Sequence, residues 1–242
     1  MEWFNSPAAQ ALLLREEEFL SGHLPTLFGF HLLQLGQLFQ PSAFEASPIK
    51  HRFSMSLDRR RLDVGLAGHP EALPFARESL DLVVMPHILE FSTDPHTILR
   101  EVERCLIPEG HVLIFGFNPW SHWQLLRPVL RWRQAVPWRG HYLSLGRLGD
   151  WLKLLGFEIV ERQTFMFRPP LQKEGLLQRL AFLEPLGERL LPWMGGAYGL
   201  LARKRVETLI PIRQRIKAPR PVIGVGLSGS PRVSSKHFRN QK

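Results

Sequence analysis

The chain has 242 residues, 44% hydrophobic and 22% charged, a balance that excludes fibrous and disordered chains and provides for one or at most two domains with a sizeable core. The single cysteine, Cys105, excludes a disulfide framework and a cysteine-cluster zinc site and suits a reducing, cytoplasmic setting. The net charge of +9 is concentrated at one end: from Arg203 onward 11 Lys or Arg meet one acid, Glu207, while the other 20 basic and 21 acidic residues nearly cancel, so the body is not expected to carry a nucleic-acid-reading face.

In chain order, the start Met-Glu-Trp-Phe-Asn lacks the basic flank of a signal peptide. Ser6-Pro7 reads as a helix cap followed by proline at the first helical position, and Leu12, Leu13, Glu16, Phe19 and Leu20 continue at helical spacing. Phe19 to Phe44 holds no Asp, Glu, Lys or Arg, yet His23, Pro25 and three glutamines interrupt it and mean hydropathy is -0.10, so no membrane span is expected. Phe30 to Gly36 reads as a short buried parallel strand ending in glycine, and further strands are expected at His51 to Ser56, Leu62 to Leu66, Leu80 to Met85 and His111 to Phe115.

Asp94-Pro95 opens a second helix whose Ile98, Leu99, Val102, Cys105 and Leu106 share one face, ending near Pro108-Glu109-Gly110. Leu145 to Gly156 follows as an amphipathic helix with a glycine stop, then strands at Phe157 to Val160 and Ala197 to Ala202. The alternation predicts an α/β fold: a Rossmann-like, seven-stranded, mostly parallel sheet flanked by helices, spanning residues 1–205. Residues 206–242, rich in Pro, Gly, Ser and Arg without periodicity, are expected to form a disordered basic tail capable of weak nucleic-acid contact. Gly224-Val225-Gly226-Leu227-Ser228-Gly229 matches a dinucleotide fingerprint in letters only, because Pro231 and a Ser-rich stretch follow where a helix must start.

The run Glu71-Ala72-Leu73-Pro74-Phe75 through Ser79-Leu80-Asp81-Leu82-Val83-Val84 leads into His87-Ile88-Leu89-Glu90, then Asp94-Pro95 and Leu106-Ile107-Pro108-Glu109-Gly110. As an ordered set from roughly Leu32 to Phe157, this resembles the class I S-adenosylmethionine-dependent methyltransferases of the small-molecule and ubiquinone-biosynthesis type. The resemblance implies S-adenosylmethionine as cofactor and in-line methyl transfer to a small-molecule acceptor. It implies Gln34, Leu35 and Gly36 at the methionine and ribose, His69, Ala72 and Leu73 at the adenine, and Met85, Pro86 and His87 on the reactive side. His87 is the catalytic candidate, either as a general base titrating near neutrality or as a backbone-bonded residue shaping the pocket. No histidine pair has metal-ligand spacing, so no metal is expected.

The departures are specific. Where the family has a D/E-x-G-x-G-x-G loop, this chain has Gln34-Leu35-Gly36-Gln37-Leu38-Phe39-Gln40, with Leu38 and Gln40 at glycine positions where side chains crowd a cofactor. Gly68-His69-Pro70-Glu71 stands where G-D-x-E is common, and Glu45 is the one candidate for the ribose-binding acid. A non-catalytic binding or regulatory protein on the same fold is therefore the alternative, and an RNA-associated protein using the tail a further one. Asn118-Pro119-Trp120 lies after the fifth strand rather than the fourth, so Asn118 is expected to cap a turn. Trp120, Trp123, Trp132 and Trp138 interleave with Arg127, Arg131, Arg133 and Arg139, either as a lid over the acceptor or as an amphipathic helix.

Overall fold

The computed structural model describes residues 2–56, 66–124, 140–170 and 174–205, all within one compact unit, Met1–Glu207. The expected strand at Leu62 to Leu66 falls mostly outside the described residues, as do the Trp/Arg stretch beyond Gln124 and the basic tail. Seven strands form one sheet: β1 (His31–Leu35), β2 (His51–Ser56), β3 (Leu66–Ala67), β4 (Leu80–Pro86), β5 (Leu106–Phe117), β6 (Phe157–Phe165) and β7 (Ala197–Lys204). Their order is β3-β2-β1-β4-β5-β7-β6, with only β7 antiparallel to its neighbours. The strand order reverses between β1 and β4, so the crevice beyond their carboxy ends is where such sheets take ligands.

Alternating residues of the central strands feed two apolar layers, since successive side chains of a strand point to opposite faces. Leu33, Leu35, Val83, Met85, Val112 and Ile114 face one layer, covered by α2 (Pro95–Cys105) and α3 (Leu145–Leu154). Leu32, Leu82, Val84, Leu113 and Phe115 face the other, covered by α1 (Pro7–His23) through Leu12, Phe19 and Leu20. β4 is buried along its whole length, which explains its unbroken apolar run apart from Asp81. That carboxylate accepts hydrogen bonds from the Phe30 and His31 amides, 2.9 Å each, and so ties the entry of β1 to β4.

The helix starts follow the expected capping chemistry. Ser6 accepts from the Ala9 amide and Asp94 from the Thr97 amide, each cap contributing about 1 kcal/mol. Two short helices, α4 (Glu174–Arg179) and α5 (Leu183–Leu190), are additions that periodicity did not indicate. Buried Glu184 of α5 accepts from the Phe167 amide at 3.1 Å and pairs with Arg168 at 2.8 Å, docking α5 onto the segment after β6.

Between β1 and β2 the described chain makes a single 3-10 turn, Pro41–Phe44, where a crossover α-helix is usual in a parallel sheet. Phe39 and Phe44 plug the apolar layer there, with Phe39 5.3 Å from the Phe115 ring. Arg203, Lys204 and Arg205, at the start of the basic end, belong to the folded unit: they pair with Glu109, Glu158 and Glu103.

Candidate cofactor site at the carboxy edge

β1 ends in buried Gln34 and Leu35, and the chain turns at Gly36 with φ of 80°, a left-handed conformation that favours glycine. The Gly36 amide donates to the Met55 carbonyl of β2 at 2.8 Å. Gln34 Nε2 donates to the Gly36 and Phe39 carbonyls at 3.2 and 3.3 Å, wrapping the loop around its own side chain. Those two acceptors fix the amide orientation, leaving Gln34 Oε1 buried with no hydrogen-bond partner among the described residues. A buried acceptor without a donor is costly, so a water or a ligand N–H is the partner it lacks. Leu38 is half-buried and Gln40 exposed, so Phe39, not a glycine, anchors this loop.

Met85 and Pro86 close β4 beside β1, both buried. A Cβ added at Gly36 would lie 3.2 Å from Ile88 Cδ1, so the two strand ends are in contact and the close-approach position at Gly36 is lined by Ile88. The His69–Ala72 turn, with both end residues exposed, follows directly on β3 at the edge of the sheet. Leu73 is buried and its amide donates to Glu101 of α2. Arg104 of the same helix donates to the Leu73 and Phe75 carbonyls, which pins the loop leading into β4. The expected set therefore separates into a contiguous cluster, Gln34 to Gly36 with Met85 to His87, and a neighbouring turn, His69 to Leu73.

Two expectations need correction. Glu45 is exposed and precedes the amino end of β2, so it stands on the wrong side of that strand to meet a ribose at the carboxy edge. His87 does not present a free imidazole. Its side chain is 1% exposed; Nε2 lies 2.7 Å from Glu16 Oε1 and Nδ1 3.1 Å from Glu90 Oε1. Burial would lower its pKa, but the Glu16 and Glu90 carboxylates outweigh that and raise it to about 10. Near neutrality both ring nitrogens carry protons, so neither has a lone pair with which to act as general base.

Glu90 Oε1 also accepts from the Phe117 amide at 2.8 Å, and the Phe117 ring stacks on His87 at 4.2 Å between centroids. Burial pushes the Glu16 carboxyl up, against the pull of His87. Trp3 and Phe4 approach from the amino terminus, Trp3 5.8 Å from Phe117 and Phe4 6.0 Å from His87. Glu16 and Glu90 were not among the expected site residues. An acid on the apolar face of α1 was the available signal for the first.

Asn118 caps the turn after β5 as expected: Oδ1 accepts from the Trp120 amide and Nδ2 donates to the Trp193 and Gly195 carbonyls. Trp123 is buried, its indole donating to the Arg168 carbonyl at 2.9 Å. Among the described residues no group of three His, Cys, Asp or Glu is placed to hold a metal, and no helix is long and apolar enough to cross a membrane.

A family model described as a methyltransferase domain matches residues 48–114, from just before β2 into β5. A protein of Escherichia coli K12, described as uncharacterized protein YafS, is 32% identical over 226 residues, covering 93% of this chain and 90% of that protein. Among solved structures, an S-adenosylmethionine-dependent methyltransferase of Mesorhizobium loti superposes with a TM-score of 0.55 at 18% identity, covering 77% of this chain and 96% of the other. A possible histamine N-methyltransferase of Thermotoga maritima gives 0.54 at 18% identity, covering 84% and 99%. At these identities the structural likeness is one of fold.

Proposed function

Because the chain belongs to one family with YafS of E. coli and residues 48–114 match a methyltransferase domain, we propose that it is a class I S-adenosylmethionine-dependent methyltransferase that transfers a methyl group from that cofactor to a small-molecule acceptor at the carboxy edge of β4 and β5. The observation that carries the reading is Gln34 Oε1, a buried acceptor without a partner among the described residues, beside a left-handed glycine turn. An ammonium group at the methionine end of the cofactor is the kind of donor it lacks. Gln34, Leu35 and Gly36 would hold that end, His69, Ala72 and Leu73 the adenine, and Met85 and Pro86 the wall beside the reactive side.

When bound, S-adenosylmethionine supplies an electrophilic methyl group on a sulfonium. The residues of this chain then contribute position. Methyl transfer needs an aligned nucleophile at close range more than it needs a base, and a buried strand end such as Met85-Pro86 is rigid enough to provide alignment. His87, protonated and enclosed, takes no proton from the acceptor, so the acceptor reacts through a lone pair already free or loses its proton to solvent.

A second reading, a binding or regulatory protein without transfer, is favoured by one feature: only a 3-10 turn follows Gly36, so no α-helix N-terminus offers amides to the cofactor's carboxylate. Calorimetry with S-adenosylhomocysteine and transfer of label from methyl-labelled cofactor into small-molecule extracts separate the two. Binding with label transfer supports the methyltransferase; binding alone supports the second reading; absence of binding refutes the first.

A further inference from the structure

The buried trio Glu16, His87 and Glu90 has no step in the transfer proposed above, yet it ties α1 to the end of β4 at the edge where the cofactor would lie. His87 stands at φ of 52°, left-handed for a residue with a side chain, a conformation that persists only where its surroundings impose it. The restraints are visible. The His87 amide donates to the Phe115 carbonyl at 3.0 Å, Nδ1 reaches Glu90, and Nε2 reaches Glu16 of α1 at 2.7 Å.

The next residue, Ile88, is the one whose Cδ1 lines the close-approach position at Gly36. The turn at His87 therefore decides where Ile88 lies, and Ile88 decides how much room Gly36 offers. Glu16 is 71 residues from His87 in sequence and completely buried, so this contact is also a tie between α1 and the end of β4.

We propose that Glu16 is a positioning residue for the cofactor site: through His87 and Ile88 it holds the Gly36 turn in the form that receives the methionine end of S-adenosylmethionine. The N-terminal helix is then part of the binding apparatus rather than a cover on the sheet. The proposal rests on the methyltransferase reading for the identity of the ligand, but not for the mechanical link itself.

The test uses the full chain with Glu16→Leu, Glu16→Gln and, as a control, Leu14→Gln on the exposed face of α1. Glu16→Leu removes the tie and one of the two carboxylates bonded to His87, a loss that lowers stability, so Glu16→Gln, of similar volume and still able to hydrogen-bond, is carried beside it. Amide hydrogen exchange of the ligand-free proteins and calorimetry with S-adenosylhomocysteine are read beside thermal melts. The expected result is a cooperative melt, at least tenfold faster exchange at Gly36, at least tenfold weaker S-adenosylhomocysteine binding and unchanged exchange in β6 and β7. Glu16→Gln should show a smaller effect in the same direction, and Leu14→Gln none. Wild-type exchange at Gly36 in Glu16→Leu, or in Glu16→Gln should the leucine variant not fold, overturns the proposal. If the wild type itself binds no S-adenosylhomocysteine, the methyltransferase reading fails, and exchange at Gly36 still decides whether Glu16 positions the turn.

Discussion

Replacing His87 with glutamine should change how stability depends on pH, and the structure fixes both the sign and the window. Two carboxylates raise the folded imidazole's pKa from 6.5 to about 10. A group raised on folding contributes its full stabilisation below the unfolded value and loses it as pH climbs through the folded one. The wild type should therefore lose stability relative to His87→Gln as pH rises from 6.5 toward 10. A tenfold gain in proton affinity on folding is worth about 1.4 kcal/mol, so the loss is on the order of 3–5 kcal/mol. Glu16, its carboxyl also raised by burial, acts in the same direction from lower pH upward. Glu17 from α1 and Tyr198 from β7 complete the titratable surroundings, and the Tyr198 phenol, raised by burial and by Glu90, stays neutral throughout this window. Urea unfolding of both proteins at about pH 6.5 and about pH 9.5 gives the comparison, the variant correcting for titrations outside the Glu16, His87 and Glu90 trio. A wild-type-minus-variant difference constant to within about 1 kcal/mol across that range would refute the doubly bonded imidazolium.

Gly36→Val should abolish S-adenosylhomocysteine binding and destabilise the fold by about 1–3 kcal/mol, because a branched side chain is forced into a left-handed turn against Ile88; calorimetry and a melt read the two effects. Leu38→Gly should strengthen binding by about 1 kcal/mol by relieving crowding, since Phe39 and not Leu38 anchors the loop; weaker binding would make Leu38 part of a rebuilt pocket. Glu184→Ala leaves the Phe167 amide and Arg168 without their buried acceptor, so the melting temperature should fall by about 6–12 °C for a loss of about 3 kcal/mol.

The elements written in the sequence were those whose pattern is local. The strand at His51 to Ser56 appears with the expected limits, and Ser6 and Asp94 cap the helices they were expected to cap. α4 and α5 escaped because they are short, with Pro185 and Gly187 inside the second, and because Leu176, Leu186 and Leu190 face solvent rather than a core. The site divides the same way. The strand end Gln34-Leu35 and the turn at Gly36 were legible as structure from an apolar run followed by glycine, whereas Glu16, though at helical spacing with Leu12, Phe19 and Leu20, carried nothing in the sequence to name His87 as its partner. Glu45 misled because it is an acid close to β2, although its place before His51 already puts it on the amino side of that strand.

If S-adenosylmethionine lies at the joined ends of β1 and β4, ultraviolet cross-linking of the methyl-labelled cofactor to the full chain, with peptide mapping, tests that placement most directly. The label should fall within residues 34–40, 68–73 or 85–88 and should disappear under competing S-adenosylhomocysteine. Label confined to other peptides, or label that the competitor leaves in place, would contradict the placement of the site.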